Sequence, residues 1–284
     1  MHETERLAAV LADLRGDDLS PHATLIAREA ITRVAAAAEH SRESSDDQPP
    51  AIASRVAAPG RSSVLGTPGA LMPPWAAFSN AVAAAAADPE ESAVVSVALA
   101  CIQHVRGDAG TFRTAVFAGR EAAHRLRSAC AVSVTQFDLT AICGAVGGAV
   151  AGGRALGLDP TRMRHALGVV GSMCGGTIQH LHDRASSAGV IQQYGWPAQS
   201  GCTAALLAAA GLTGPATVLE GENGICRSFS TGFEPDIERL VEGLAEGLFL
   251  NEQNEGDRSD DNWSPAPFPY RALLLEATGR GDEL

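Results

Sequence analysis

Apolar residues recur along most of the chain at the three- and four-residue spacing of amphipathic helices. Ser20-Pro21 has the form of an N-cap followed by a first-turn proline, and a long helix is predicted over residues 22–40. The same pattern predicts helices over 76–87, 92–105, 110–127, 160–173, 198–210 and 235–248, and a short one beginning at 213–215. No run of alternating polar and apolar residues predicts a strand. The predicted fold class is therefore all-α, a multi-helix bundle.

Three glycines, Gly144, Gly148 and Gly152, recur every four residues and share one face of a predicted helix. Because glycine has no side chain, this face predicts a close approach by a neighbouring helix. A dinucleotide-binding loop is excluded, since no strand precedes these glycines and their spacing is not G-x-G-x-x-G.

Two polar segments interrupt the helical pattern. Residues 41–63 are rich in serine, aspartate, proline and arginine, which predicts a mobile loop. Residues 251–264 are acidic and polar, and only a short apolar stretch follows around 271–276. We therefore predict a helical domain over 1–250, and a polar linker with a short C-terminal segment over 251–284.

The charge of the chain limits its partners. A formal net charge of −12 argues against nucleic acids and anionic membranes, and the longest uncharged run of small residues, 139–153, is too short to span a bilayer. All 21 basic residues are arginines, which excludes Schiff-base chemistry and a lysine base. We expect a cytoplasmic protein that binds a small molecule.

The cysteines are scattered and include no C-x-x-C pair. This distribution predicts buried, reduced thiols in preference to disulfides or a zinc site. The six residues are Cys101, Cys130, Cys143, Cys174, Cys202 and Cys226.

Four segments in the second half of the chain resemble the MmgE/PrpD family. They are Arg154-Ala-Leu-Gly-Leu-Asp-Pro, Ala166-Leu-Gly-Val-Val-Gly-Ser, Gly195-Trp-Pro-Ala-Gln-Ser-Gly and Leu212-Thr-Gly-Pro-Ala-Thr-Val-Leu-Glu-Gly. This family includes 2-methylcitrate dehydratases, cis-aconitate decarboxylases and iminodisuccinate epimerases. The resemblance implies a large helical domain, a smaller α/β lid domain and pairing of two copies through the helical domains. The resemblance covers roughly residues 5–275, and we expect the chain to lack most of the lid. From the pairing in the family we expect a homodimer.

The chain departs from the family where charged residues are expected. The family's H-A-L-D-F-D-D-T-H reads Ala85-Ala-Ala-Asp88-Pro-Glu-Glu-Ser92 here, and F-H-P-T-A reads Phe137-Asp138-Leu-Thr140-Ala141. K-R-L-H-x-G reads Val190-Ile-Gln-Gln193-Tyr-Gly195, and K-P-Y-P reads Ala266-Pro-Phe-Pro269. These changes remove lysines and histidines, so the pocket is expected to be neutral or acidic and to bind citrate-like trianions poorly.

The remaining polar residues still predict a candidate site. Asp88 or Asp138 would be the acid or base, because a carboxyl group in an apolar pocket has a raised pKa. The alternative is that both aspartates only mark helix ends. The predicted substrate-binding residues are Asn80, Gln192, Gln193, Tyr194, Trp196 and Arg227. Asn80 is either a surface residue, which the sequence slightly favours, or a buried hydrogen-bonding residue.

The cluster His180-Leu-His182-Asp183 precedes the Gly195-Trp196 segment, which borders the pocket in the family. His180 or His182 is therefore either a relocated proton carrier or a solvated loop histidine. A metal site is not predicted, because further ligands at a recognisable spacing are absent and Arg184 adjoins the cluster. No cofactor is expected.

Three functions compete at this point. The first is a repurposed lyase, isomerase or cyclase acting on a weakly charged organic acid or a specialised metabolite. The second is a non-catalytic homologue that binds a ligand or serves as a partner subunit. The third, an authentic methylcitrate dehydratase or cis-aconitate decarboxylase, is disfavoured by the missing lysines.

Overall fold

A computed structural model describes residues 2–42, 55–130, 137–182, 188–230, 234–244 and 270–281. The helices are α1 Glu3–Asp13, α2 Pro21–Arg42, α3 Pro73–Ala83, α4 Pro89–Val105, α5 Ala109–Ala129, α6 Leu139–Ala155, α7 Pro160–Gly171, α8 Trp196–Ala209, α9 Ile225–Phe229 and α10 Arg271–Thr278. One helical turn, Ala188–Val190, and one π-helical turn, Ile191–Gly195, lead into α8. Short 3-10 turns cover Gly16–Asp18, Gln179–Leu181 and Ile237–Leu240. The predicted all-α fold class is confirmed.

Four helices begin at an aspartate that caps the free backbone N–H groups of the first turn. These residues are Asp88, Asp108, Asp138 and Asp159, which begin α4, α5, α6 and α7. A cap of this kind typically stabilises a helix by about 1 kcal/mol. The sequence therefore fixes the start of each helix locally.

Helix α6 lies at the centre of the bundle and packs against α4, α5 and α8. Nearly all of its residues are buried, as expected for a helix that is apolar on every side. A Cβ atom on Gly147 would lie 2.6 Å from the carbonyl oxygen of Gly119 on α5. A Cβ atom on Gly152 would lie 2.9 Å from Ala205 on α8. The predicted close helix packing is confirmed.

The first strand of a small hairpin lies inside the segment predicted to be a mobile loop, residues 41–63. Strand β1, Pro59–Ser63, pairs antiparallel with β2, Ala70–Leu71, while residues 43–54 lie outside the described residues. The Asn80 amide accepts a hydrogen bond from the Leu65 N–H at 2.8 Å and donates one to the Ser63 carbonyl at 2.9 Å. Asn80 is fully buried, so the slightly favoured surface position is wrong and the alternative of a buried hydrogen-bonding residue is confirmed. Its amide instead fixes the connection between the two strands.

Other boundaries also differ from the prediction. The pattern did not single out α1, residues 213–215 start no helix, and the only regular structure described within 235–248 is the turn Ile237–Leu240. Residues 245–250 and the polar segment 251–264 lie outside the described residues. No helix in the described ranges is long and apolar enough to cross a membrane.

The C-terminal helix α10 packs against α2 and α5. Its Leu274 and Leu275 are fully buried. Tyr270 is the residue before this helix. Its hydroxyl donates a hydrogen bond to Glu39 Oε1 at 2.9 Å and accepts one from the Gly66 N–H at 2.7 Å. Tyr270 therefore joins the C-terminal segment to α2 and to the hairpin loop.

Candidate active site

The N-termini of α4 and α6 lie side by side, joined by Arg127 from the last turn of α5. The Arg127 guanidinium donates to Glu90 Oε1, with its Nε atom 2.8 Å away, and to Thr140 Oγ1 at 3.1 Å. Glu90 lies two residues after Asp88, and Thr140 lies two residues after Asp138. The bridge therefore joins the first turns of the two helices that begin at the predicted catalytic aspartates.

Asp138 and His180, two of the predicted catalytic residues, lie against each other. The Asp138 Oδ1 atom accepts a hydrogen bond from the Ala141 N–H at 3.2 Å, while Oδ2 lies 4.0 Å from His180 Nε2. The two side chains are only 9% and 8% exposed, respectively. Within the described part of the chain, neither Oδ2 nor Nε2 has a hydrogen-bond partner. Two groups that can exchange a proton are thus buried and unsatisfied.

The ring of His180 is oriented by Thr177. His180 Nδ1 lies 3.1 Å from the Thr177 carbonyl oxygen, which only accepts hydrogen bonds, so Nδ1 carries the proton in this contact. Nε2 is then the basic nitrogen of the neutral ring, and it faces Asp138. Thr177 also forms an isolated antiparallel bridge with Phe137, the residue before Asp138. One backbone contact therefore positions both members of the pair.

Gly189 provides the space in which the His180 ring lies. A Cβ atom at Gly189 would meet the His180 Cδ2 atom at 3.3 Å and its Cβ atom at 3.4 Å, closer than most such contacts. His182 is exposed and is not brought to Asp138 by any described contact. Asp183 and Arg184 lie outside the described residues. Of the two histidines, the structure brings His180 to the candidate site.

Asp88 caps α4 by accepting hydrogen bonds from the N–H groups of Glu90 and Glu91 at 2.9 and 3.1 Å. Although the residue reaches the surface, partial desolvation of its carboxyl group raises its pKa, and the hydrogen bond from Glu91 partly offsets this effect. Tyr194 lies near Asp88, and its hydroxyl donates to the carbonyl oxygens of Ala85 and Ala87, which are 3.0 and 3.3 Å away. Burial, and secondarily the charge of Asp88, raises the pKa of Tyr194.

The predicted substrate-binding residues Gln192 and Gln193 lie on the π-helical turn before α8. The Gln192 amide donates to the Gly175 carbonyl at 3.1 Å, and Gln193 is half-buried. Trp196 follows them and is 45% exposed, with its ring against Phe78 at a centroid distance of 5.3 Å. The turn contacts α3, α4, α6 and α8, so these side chains lie at the meeting point of several helices.

Asn80 and Arg227 are already engaged elsewhere. The Asn80 amide is bound to the hairpin backbone, as described above. Arg227 pairs with the largely exposed Glu234 at 3.1 Å. Its helix α9 nevertheless borders the site, because the Phe229 ring packs against Phe137 at a centroid distance of 5.0 Å. Ala266, where the family has a second lysine, lies outside the described residues.

The sequence analysis missed several residues that build the site. They are Glu90, Arg127, Thr177 and Gly189. Arg127 carries a weak local signal, since a cation is favourable in the last turn of a helix. Thr177 and Gly189 act through a carbonyl group and an absent side chain, neither of which leaves a sequence pattern.

Comparison with known proteins supports the family resemblance. The MmgE/PrpD N-terminal domain matches residues 5–238, which include most of α1, all of α2 to α9 and every residue of the candidate site described above. No curated protein matches the chain. The match covers most of the chain and agrees with the all-helical architecture, and the chain therefore belongs to the MmgE/PrpD family.

Proposed function

We propose that the chain is a lyase- or isomerase-type enzyme in which His180 and Asp138 transfer a proton on a small organic molecule. The observation that carries this proposal is the buried pair of unpartnered atoms, Asp138 Oδ2 and His180 Nε2, 4.0 Å apart. Unsatisfied polar atoms are costly to bury, and such groups cluster at functional sites. A third atom bound beside both would lie at hydrogen-bonding distance from each.

The proton transfer uses the chemistry of the two side chains. Neutral His180 accepts a proton from the substrate at Nε2 and becomes an imidazolium, which the adjacent Asp138 carboxylate stabilises. The imidazolium, which can first exchange its proton with water, then returns a proton to another substrate atom in an isomerisation or to a departing hydroxyl group in an elimination. Thr177 holds Nδ1 throughout, so the ring keeps its orientation.

The charges around the site favour a weakly charged substrate. Arg127 reaches the start of α6, but Glu90 already neutralises it. Arg120 is paired with Glu91 at 2.8 Å. The segment that carries cations in the family contributes Gln192, Gln193 and Tyr194 here. A substrate with at most one carboxylate, such as a specialised metabolite, fits these surroundings better than a tricarboxylate.

A second function, ligand binding without catalysis, is favoured by a different observation. Asn80, Gln192 and Tyr194 each hydrogen-bond to backbone groups of the chain itself. These side chains then hold the fold around the candidate site and leave fewer groups to position a reacting molecule. In this case the protein would bind a ligand or serve as a partner subunit.

A solvent-exchange experiment separates the two functions. The protein is incubated in D2O with a panel of hydroxy acids, keto acids, lactones and citrate-like acids, and deuterium incorporation and elimination products are followed by NMR. The proposal predicts exchange or elimination with a weakly charged member of the panel, and at least 100-fold slower turnover in His180→Gln. Exchange at the same rate in His180→Gln would contradict the role of the pair. Binding of panel members without any exchange would favour the second function.

The proposal also includes a cytoplasmic homodimer paired through the helical domain, as the family resemblance implies. Light scattering of the purified full chain tests the dimer directly. A mass of 29.2 kDa would correspond to a monomer and would contradict the pairing.

A further inference from the structure

A second group of ionisable residues, none of them assigned to the candidate active site, lies where α1 begins. Possible ligand atoms of His2, Glu3 and Glu220 all lie within 4.8 Å of one another. His2 Nδ1 is 3.9 Å from Glu220 Oε1, and the His2 side chain is 68% exposed and does not cap α1. His2 and Glu3 are consecutive, whereas Glu220 comes from the turn before α9. The group therefore joins two distant parts of the chain.

The Glu220 carboxylate is buried and fixed in orientation. Its Oε2 atom accepts hydrogen bonds from the Thr4 N–H at 3.2 Å and from the Thr4 hydroxyl. The Thr4 hydroxyl in turn accepts one from the Leu219 N–H at 3.2 Å. Thr4 is itself fully buried, so it holds Glu220 in the manner of a residue that orients a metal ligand.

The other oxygen of Glu220 has no comparable partner. The side chain is only 8% exposed, yet Oε1 makes no hydrogen bond within the described part of the chain and faces His2 and Glu3. A buried carboxylate oxygen left unpaired is costly, and a second carboxylate nearby adds repulsion. A divalent cation among the three groups would remove both penalties.

We propose that His2, Glu3 and Glu220 form a binding site for a divalent cation of the zinc class. One imidazole nitrogen and two carboxylate oxygens suit Zn²⁺ or Mn²⁺ better than Mg²⁺ or Ca²⁺, which prefer oxygen ligands alone. Ligand atoms around tetrahedral Zn²⁺ lie about 3.4 Å apart, so the group must contract slightly. The exposed His2 side chain supplies that movement. The bound ion would tie the start of α1 to the turn that leads into α9.

Calorimetric titration of the chelator-treated full chain with ZnCl2 tests this site, with any affinity tag removed. We expect saturable binding of one ion and an increase in melting temperature. Affinity should fall at least about tenfold in Glu220→Gln and His2→Ala, and by about tenfold in Thr4→Ala, which removes the orienting hydroxyl. Glu222→Gln, an exposed carboxylate two residues further on, is the matched control and should bind as the wild type does.

The opposite results would overturn the site. The first is that the wild type binds no Zn²⁺. The second is that Glu220→Gln and His2→Ala both bind with wild-type affinity, which would place the ion elsewhere, for example on a cysteine. His2 is exposed, so His2→Ala still decides the question if Glu220→Gln does not fold. The titration measures metal binding and not catalysis. If the proposed catalytic function proved wrong, the Zn²⁺-binding result would therefore stay the same.

Discussion

Asp138 accepts a hydrogen bond from the Ala141 N–H with Oδ1 and faces the Nε2 atom of His180 with Oδ2, 4.0 Å away. The same carboxylate therefore begins a central helix and belongs to a buried proton-transfer pair. These two roles were alternatives at the level of sequence. They are compatible in the structure because the two oxygens point to different neighbours.

Asparagine at position 138 separates the two roles. Asparagine caps helices about as well as aspartate, so we expect the free energy of unfolding of Asp138→Asn to change by less than about 0.5 kcal/mol. Turnover should fall by roughly 100-fold or more, because the amide neither stabilises an imidazolium nor accepts its proton. Urea unfolding and the exchange assay measure the two effects.

Asp159→Asn is the matched control, since Asp159 caps α7 through the Arg162 N–H at 2.9 Å and lies on the exposed surface. Asp159→Asn should alter neither the free energy of unfolding nor the turnover. Equal turnover in Asp138→Asn and the wild type would rule out a catalytic role for the carboxylate.

Gly189→Ala should disturb His180 without disturbing the fold. The added methyl group would lie 3.3 Å from His180 Cδ2, so the ring must shift by a few tenths of an ångström. Alanine is favoured over glycine in a helical turn by roughly 0.5–1 kcal/mol, so stability should not fall. We expect lower kcat with little change in KM, and a displaced NMR signal for the His180 ring.

The control for this variant is Gly16→Ala, where the nearest atom to the added methyl group is 3.7 Å away. It should leave the His180 signal in place. An unmoved His180 signal in Gly189→Ala would contradict the close packing that we infer.

Asp88 should make stability depend on pH. The carboxyl group has a pKa of 3.8 in the unfolded chain and a raised pKa in the folded chain, chiefly because of desolvation. As the pH rises above 3.8, the unfolded state loses its proton first and becomes relatively more stable. The wild type should therefore lose stability relative to Asp88→Asn over this interval, until the pH passes the raised folded value. Urea unfolding of both proteins between pH 3.5 and pH 8, measured at roughly half-unit steps, tests this dependence.

Asp88→Ala serves as the comparison, because it also removes the helix cap. Relative to Asp88→Asn, it should be less stable by about 1 kcal/mol at every pH, because neither side chain titrates and only asparagine caps the helix. If the difference between the wild type and Asp88→Asn is constant with pH, the carboxyl group is not desolvated.

Cys174 should react slowly with alkylating reagents. Its thiol is half-buried, whereas the other five cysteines are buried, and desolvation raises its pKa to about 11 from 9.0. Only about one molecule in a thousand then carries the reactive thiolate at pH 8. Alkylation by iodoacetamide, followed by mass spectrometry, should accelerate about tenfold per pH unit between pH 8 and pH 10.

Unfolding in urea provides the reference for this thiol. At pH 8 the reaction of Cys174 should become about a hundredfold faster in the unfolded chain, as expected for a pKa lower by two units. Similar rates in the folded and unfolded chains would show that the thiol is already in contact with water.

Much of the fold was predictable because its signals are local. The proline and aspartate at Asp159-Pro160 satisfy backbone groups within their own first turn, so the start of α7 could be read directly. Burial of the cysteines was also predicted from their small and apolar surroundings, and it is confirmed for five of the six. The helix predicted over 235–248 was wrong within its described part, where only a 3-10 turn is present. Amphipathic spacing alone does not ensure that a segment packs as a regular helix.

The candidate site was only partly predictable. Sequence singled out Asp138 and the His180–His182 cluster, but it gave no reason to prefer one histidine over the other. It also left Asn80 between the surface and the interior, because an alanine-rich helix carries no pattern that fixes its rotation. The structure buries Asn80 and brings His180 to Asp138.

The sequence by itself determined the helical class, the start of α7 at Asp159-Pro160, the close packing of α6 and the family, since each follows from neighbouring residues or from motif order. Only the tertiary structure decided that Arg127 joins the starts of α4 and α6, that His180 meets Asp138, and that Glu220 meets His2. The physical reason is that such contacts form between residues far apart in the chain. Their distances depend on how the helices pack, and that packing is fixed by the whole core.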